Sequence, residues 1–202
     1  MHIELGEFEL YFLLSVQTKK AILKEYKLRK ITEADRLVIL PWRNAPQTRQ
    51  FMYTSQKIGV EEHSAWFRKM MVDDTCEYFI FEVNQLPSAV CALTHIHDEQ
   101  NISNWAAYMA PEAPPGIGAF MEFYLLDYAF SERKFRKIWC EVLASNASVL
   151  SLHKSFGFKT EGIFVEQHFN GQDYIDIHRL GFFAKQWPEI RKKYIKLLKI
   201  DG

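Results

Sequence analysis

Apolar and polar residues alternate along Tyr26-Lys-Leu-Arg-Lys-Ile31, the two-residue period of a strand with one face in a core. Thr32-Glu-Ala-Asp35 then forms a capping pattern, an acidic residue three positions after a threonine, and predicts a helix through about Leu40. Pro41 and the stretch Arg43-Asn-Ala-Pro46 predict the end of that helix, because proline lacks an N–H and crowds the preceding turn. A second helix is expected from near Val60, with Glu61 and Glu62 favourably placed in its first turn. The runs Glu77–Val83, Ser88–His97 and Asn101–Ala110, the first two parted by the turn Asn84–Pro87, predict an antiparallel meander.

Beyond the meander, Ala113-Pro-Pro-Gly-Ile-Gly-Ala-Phe120 separates the strand-like run Trp105–Ala110 from Phe120–Phe130, whose apolar residues recur at helical spacing. Lys137–Leu143 predicts another strand, and Asn146 caps a helix that reaches Phe156 and stops at Gly157. Gly162–His168 and Tyr174–Phe183 flank Asn170-Gly171, a hairpin signal. After Trp187-Pro188, the residues Ile190, Tyr194, Leu197 and Leu198 mark a basic amphipathic helix expected to pack on the surface.

With 202 residues, nearly half of them apolar, the chain has material for one domain with a sizeable core. Lys plus Arg equals Asp plus Glu, which argues against a nucleic-acid tracker or a polybasic membrane binder and favours a small-molecule partner. Cys76, Cys91 and Cys140 are odd in number, lack C-x-x-C spacing and sit in apolar runs; they read as reduced residues of a cytoplasmic protein. Residues 1–25 are set apart as an extension without an assigned role. Their apolar run Phe8–Val16 contains Glu9, is too short to span a bilayer, and lacks the basic start and small-residue cleavage site of a secretory signal.

The chemistry begins at Gly116-Ile117-Gly118. Glycine permits close backbone approach, and the free N–H groups at a helix start favour an anion, so this turn is a candidate phosphate cradle. The imidazoles of His95 and His97 fall on one side of a strand, but no third ligand stands at a recognisable spacing, and no metal is expected.

The order strand, two helices, three antiparallel strands, Gly-x-Gly, helix, strand, capped helix, Gly-Phe and hairpin resembles the GCN5-related N-acetyltransferase (GNAT) superfamily over residues 26–187, leaving 188–202 as the terminal helix. The resemblance implies an α/β (α+β) fold: a mixed, mostly antiparallel sheet of about seven strands with helices on both faces. It implies acetyl-CoA as co-substrate, with the pyrophosphate on Gly116, Ile117, Gly118 and Ala119, the pantetheine arm beside Met109 and Ala110, and Asn146 as a further contact. Ala113 stands where the family's pattern has Gln or Arg, so a side-chain contact is missing and the cradle is expected to be mainly backbone.

A narrower resemblance rests on Trp42-Arg43-Asn44, Met52-Tyr53-Thr54, Glu61-Glu62-His63 with Trp66-Phe67, Glu141-Val142 with Asn146, Leu152-His153-Lys154 and Phe156-Gly157-Phe158 with Glu161-Gly162. These look like the pseudaminic acid biosynthesis N-acetyltransferases, which acetylate the 4-amino group of a UDP-linked 4-amino-4,6-dideoxy sugar. The resemblance implies that Arg43, Asn44, His63, Thr94, His95 and Tyr108 line the nucleotide-sugar pocket. Acetyl transfer needs a proton for the departing thiolate and a base for the amine. His153 occupies the slot in which the superfamily commonly has a tyrosine acid, while Glu141 and Glu122 are competing candidates for the base; Ala92 replaces a serine reported in some relatives. Two alternatives remain: an acetyltransferase of protein N-termini, and a non-catalytic coenzyme A sensor. Monomer and homodimer are both compatible with the sequence.

Overall fold

The computed structural model describes residues 25–200, so the extension set apart at residues 1–25 lies almost wholly outside the described residues. Seven strands form one sheet in the order β1-β2-β3-β4-β5-β7-β6. They are β1 (Tyr26–Lys30), β2 (Glu77–Val83), β3 (Leu86–His97), β4 (Ile102–Met109), β5 (Lys137–Leu143), β6 (Lys159–Phe169) and β7 (Tyr174–Phe183). All neighbours are antiparallel except β4 and β5, so the fold class expected from the resemblance is the one observed.

Between β1 and β2 lie α1 (Arg36–Asn44), the single turn α2 (Pro46–Arg49) and α3 (Val60–Met70). One expectation fails here: α1 runs through Pro41 to Asn44 rather than stopping at Leu40. Proline deprives the Leu37 carbonyl of its helical donor, but both residues lie on the solvent face, where water meets the carbonyl. Arg29 and Asp35 secure the entry to α1 through two guanidinium–carboxylate bonds of 2.8 Å, with Thr32 Oγ1 donating to the same carboxylate.

Side chains alternate across the sheet and so divide the core in two. Phe79, Phe81, Cys91, Leu93, Trp105, Ile138, Cys140, Leu180 and Phe182 pack beneath α4 (Ile117–Asp127), α5 (Ala147–Phe156) and α6 (Trp187–Leu198). On the other face Ile80 and Val90 meet Ile39, Trp42, Phe67 and Met70 of α1 and α3. The C-terminal helix begins at Trp187 itself, whose indole N–H donates to Asp127 of α4 at 3.0 Å, while Arg191 pairs with the same carboxylate. Phe156 stacks on Tyr194 at 3.7 Å.

The feature that positions the site is the seam between β4 and β5. The two strands pair only at Ile102↔Lys137, Ser103↔Ile138 and Asn104↔Trp139. Beyond those rungs β4 continues to Met109 and β5 to Leu143 without pairing with each other. The sheet therefore forks after Asn104 and Trp139.

Candidate active site

At the mouth of the fork the chain leaves β4, and Ala110 N–H donates to Ser88 O at 2.8 Å. Gly116 then caps α4 with φ 83, a left-handed conformation that a side chain disfavours. A Cβ at Gly116 would meet no atom within 4 Å, so its requirement is backbone conformation and not space. Gly118 lies within the first turn, where an added Cβ would sit 3.7 Å from Met109 Cε and 3.4 Å from Leu152 Cδ2. The first turn of α4 carries neither an acidic residue nor a side-chain cap. Its N–H groups, from Ile117 to Ala119, thus retain the positive end of the helix dipole for an anion. Across the fork, Asn146 caps α5, its Oδ1 accepting from Val149 N–H and Ser148 Oγ. Its carboxamide oxygen is committed to the helix, which leaves its NH2 group for any ligand.

His153, on α5, sits under the fork. Its ring meets Trp105 edge-on with centroids 4.8 Å apart, and Cys140 lies beside it. Trp105 and Cys140 are the residues that immediately follow the last rung on β4 and β5. His153 Nδ1 lies 2.8 Å from Glu122 Oε1, with the two side chains only 1% and 0% exposed. Burial, the largest single influence, opposes the imidazolium, but the Glu122 carboxylate and Cys140 together outweigh it and push His153 up to about 10. Burial also raises Glu122 above the usual carboxylate range, against the pull of His153. The pair therefore keeps its proton near neutrality. Whether Nδ1 or the carboxyl holds the proton between them, Nε2 carries a hydrogen. Neither that Nε2 nor Glu122 Oε2 has a hydrogen-bond partner.

Glu141 faces the opposite side of the sheet. Its Oε2 accepts from the Tyr53 hydroxyl at 2.8 Å and its Oε1 from Arg179 Nη1 at 2.9 Å. The Arg179 guanidinium carbon lies 3.3 Å from the centre of the Trp139 ring. Burial, followed by the bond to Glu141, raises the Tyr53 phenol, which keeps it a donor. Tyr53, Glu141, Phe164, Gln167, His168 and Ile177 line a cavity of about 430 Å³. Tyr53 belongs to the segment after α2 that spans the fork on this face, since Arg43 Nη2 donates to Thr54 O at 3.0 Å on the β4 side.

The residues expected for a nucleotide pocket separate into three groups. Arg43 lies near Tyr108, with Nη1 buried and unpartnered; burial lowers its affinity for a proton and raises the Tyr108 phenol. Thr94 and His95 line a second cavity, of about 310 Å³, with Trp66 and Tyr78. Thr94 Oγ1 lies 3.2 Å from His95 Nδ1, and the His95 ring is 5.9 Å from that of Trp139. The Asn44 amide and Nε2 of His63 bond to backbone. Asn44 clamps the segment before α3, its Nδ2 donating to Ile58 O and its Oδ1 accepting from Ile58 N. His63 is 2% exposed and its Nε2–H donates to Arg36 O at 2.7 Å, joining α3 to α1; burial lowers its pKa. Among the described residues no group of three or more His, Cys, Asp or Glu side chains is arranged to hold a metal.

The chain and its fold are similar to known proteins. The family model for the acetyltransferase (GNAT) domain covers residues 28–178. The chain belongs to the GNAT acetyltransferase family. It is an acetyl-CoA-dependent N-acetyltransferase. Among curated proteins this GNAT enzyme is similar to acetyltransferase PseH of Campylobacter jejuni subsp. jejuni serotype O:23/36 (strain 81-176), at 28% identity over 139 residues, 65% of this chain and 83% of that protein. Among solved structures its fold matches a spermidine N-acetyltransferase from Vibrio cholerae in complex with CoA and spermine, at TM-score 0.77 and 22% identity over 81% of this chain and 98% of that one. The SpeG spermidine/spermine N-acetyltransferase of the same organism, solved with manganese ions, matches at TM-score 0.70 and 21% identity over 82% and 96%.

Sequence reasoning brought His153, Glu122 and Glu141 forward as chemistry but missed the surroundings of Glu141. Arg179 and Trp139 carry a signal in retrospect: Glu141 and Arg179 are opposite charges in the middle of apolar strands, and they are direct partners in the β5–β7 register.

Proposed function

We propose that this acetyltransferase modifies the 4-amino group of a UDP-linked 4-amino-4,6-dideoxy sugar, a step in pseudaminic acid biosynthesis, by direct transfer within a ternary complex in the cytoplasm. The observation that carries the acceptor is Arg43, whose half-buried guanidinium holds an unpartnered Nη1 beside Tyr108. A buried donor without a partner costs about 1–3 kcal/mol, and a diphosphate oxygen supplies the matching acceptor. The similarity to PseH supports the same reading. A polyamine acceptor, as in the Vibrio cholerae enzymes, would need anionic surroundings; here Arg43 and Arg49 donate to the Tyr53 segment and the Glu141 carboxylate is already paired with Arg179.

Bound acetyl-CoA supplies an activated acyl thioester. The N–H groups of Ile117, Gly118 and Ala119 hold its phosphates, the free edge of β4 at Met109 and Ala110 holds its arm, and the Asn146 amide flanks it. Glu141 takes the proton of the incoming ammonium directly or through water, with Tyr53 and Arg179 fixing its carboxylate. His153 supplies a proton from the fork to the departing thiolate.

A thiol-release assay with acetyl-CoA compares a UDP-4-amino sugar, N-terminal peptides and spermidine. Turnover of the nucleotide sugar alone is expected. Turnover of peptides or spermidine without the sugar would overturn the acceptor, and coenzyme A binding with no turnover of any amine would favour a sensor.

A further inference from the structure

The pair His153–Glu122 carries a cost that packing does not explain. A buried ion pair stabilises a fold no better, and often less well, than apolar residues of the same volume. This one also leaves one polar atom on each partner, Nε2 and Oε2, buried without a hydrogen bond. Everything else around it is apolar or weakly polar: Trp105, Phe158 and Cys140 touch the imidazole. The remaining titratable group facing the pair is Tyr194 on α6, whose hydroxyl is bonded to Ser155 Oγ at 2.9 Å and whose ionisation Glu122 opposes. Among the described residues no cation other than His153 balances Glu122.

The geometry points to Glu122 as a positioning residue, one that fixes His153 through Nδ1 so that a proton stands ready on Nε2 where the strands part. This deepens the proposed function and rests on His153 acting as the acid. It also assigns Glu122 a role other than base: its carboxylate is fully buried on the α4 side of the sheet, whereas the amine is expected on the Glu141 side. The proton balance is closed. As the new C–N bond forms, the C–S bond breaks and its electron pair stays on sulfur. The ammonium loses its first proton through Glu141 to solvent and the nitrogen gives its second to Glu141 as the amide forms; His153 gives the Nε2 proton to that sulfur, and after products leave Glu141 releases its proton and the imidazole is reprotonated from solvent, for a net release of one proton per turnover. Glu122 gains and loses nothing; its charge sets how firmly the imidazole holds its proton and which way the ring faces.

The test follows the His153 imidazole by 15N NMR titration of the full chain without acetyl-CoA, then measures the pH profile of kcat with whichever amine the enzyme turns over. In Glu122→Gln the amide oxygen still accepts from Nδ1 but the charge is gone. The His153 titration is expected to move down by about two units or more. The alkaline limb of kcat should move with it, and kcat at pH 8.5 should fall by about tenfold or more with the KM for acetyl-CoA within about twofold. An unmoved titration, or a moved titration with kcat and its pH limb unchanged, overturns the assignment. Should Glu122→Gln fail to fold, the paired apolar variant Glu122→Leu/His153→Leu decides: it should fold and bind coenzyme A yet lose about a hundredfold in kcat. Retained kcat in that variant would make the pair merely structural. Because the NMR readout involves no acceptor and the kinetics use any amine that is turned over, failure of the nucleotide-sugar reading leaves this test intact and distinguishable.

Discussion

Tyr53 reaches across the fork to place its hydroxyl 2.8 Å from Glu141, a residue 88 positions further along the chain. The same segment is held at its other end by Arg43 on Thr54 O and by Arg49 on Ser55 O. Removing the hydroxyl in Tyr53→Phe should therefore loosen the acceptor side alone. We expect the acceptor KM to rise by about fivefold or more and the melting temperature to change little, since one partly exposed hydrogen bond contributes about 1 kcal/mol. Steady-state kinetics with each substrate varied separately, beside a thermal melt, checks both statements.

Arg43→Lys keeps the charge and removes the planar fork of donors. If Nη1 meets a diphosphate, the KM for the nucleotide sugar should rise by about tenfold or more while that for acetyl-CoA stays within about twofold. An equal rise for both substrates would place the effect in the fold of α1 instead.

The buried pair has a signature in stability as well as in rate. Both His153 and Glu122 hold a proton more tightly in the folded chain than in the unfolded one. For His153 the contribution is complete below its unfolded value of about 6.5 and is lost as pH rises towards its folded value of about 10. Glu122 acts in the same sense from the carboxylate range upward. Urea unfolding at pH 6, 8 and 9.5 should show the wild type losing stability relative to Glu122→Leu/His153→Leu, and the difference between the two isolates the pair from other groups that titrate there.

Gly116→Ala should cost about 1–2 kcal/mol through its left-handed φ and nothing through steric contact. Gly157→Ala should cost more, because it adds to the same backbone penalty a Cβ 3.1 Å from Phe182 Cε2. Chemical denaturation ranks the two. Only Gly116→Ala should also raise the KM for acetyl-CoA, since Gly157 closes α5 on the far side from the cradle helix start.

Much of the architecture was legible from period and punctuation. The strands β2, β3 and β4, the Asn170-Gly171 hairpin and the Asn146 and Gly157 limits of α5 were all read from alternation, turn residues and caps, which are local signals. Pro41 misled because its cost depends on which way Leu37 O faces, a tertiary fact. The site was less legible for the same reason. Arg43 entered through the resemblance and Glu141 is a charged residue in an apolar strand, but the side chains that surround Glu141 come from the Tyr53 segment and from β7. Asn44 and His63 show what spacing does not reveal: the Asn44 amide bonds to the backbone of Ile58 and the His63 Nε2–H to Arg36 O, bonds that join segments of the fold.

The three rungs that join β4 to β5, with Arg136 N–H donating to Asn101 O just before them, form a short backbone ladder between the two halves of the sheet. Past them, both strands keep backbone amides and carbonyls aimed into the gap, and these must meet water or a ligand. A linear amide lying in the gap would serve as the missing strand of an otherwise continuous sheet. Coenzyme A bound there, as proposed, would act on this protein as a structural member as much as a reactant, stiffening the joint between two blades that the polypeptide itself leaves ajar.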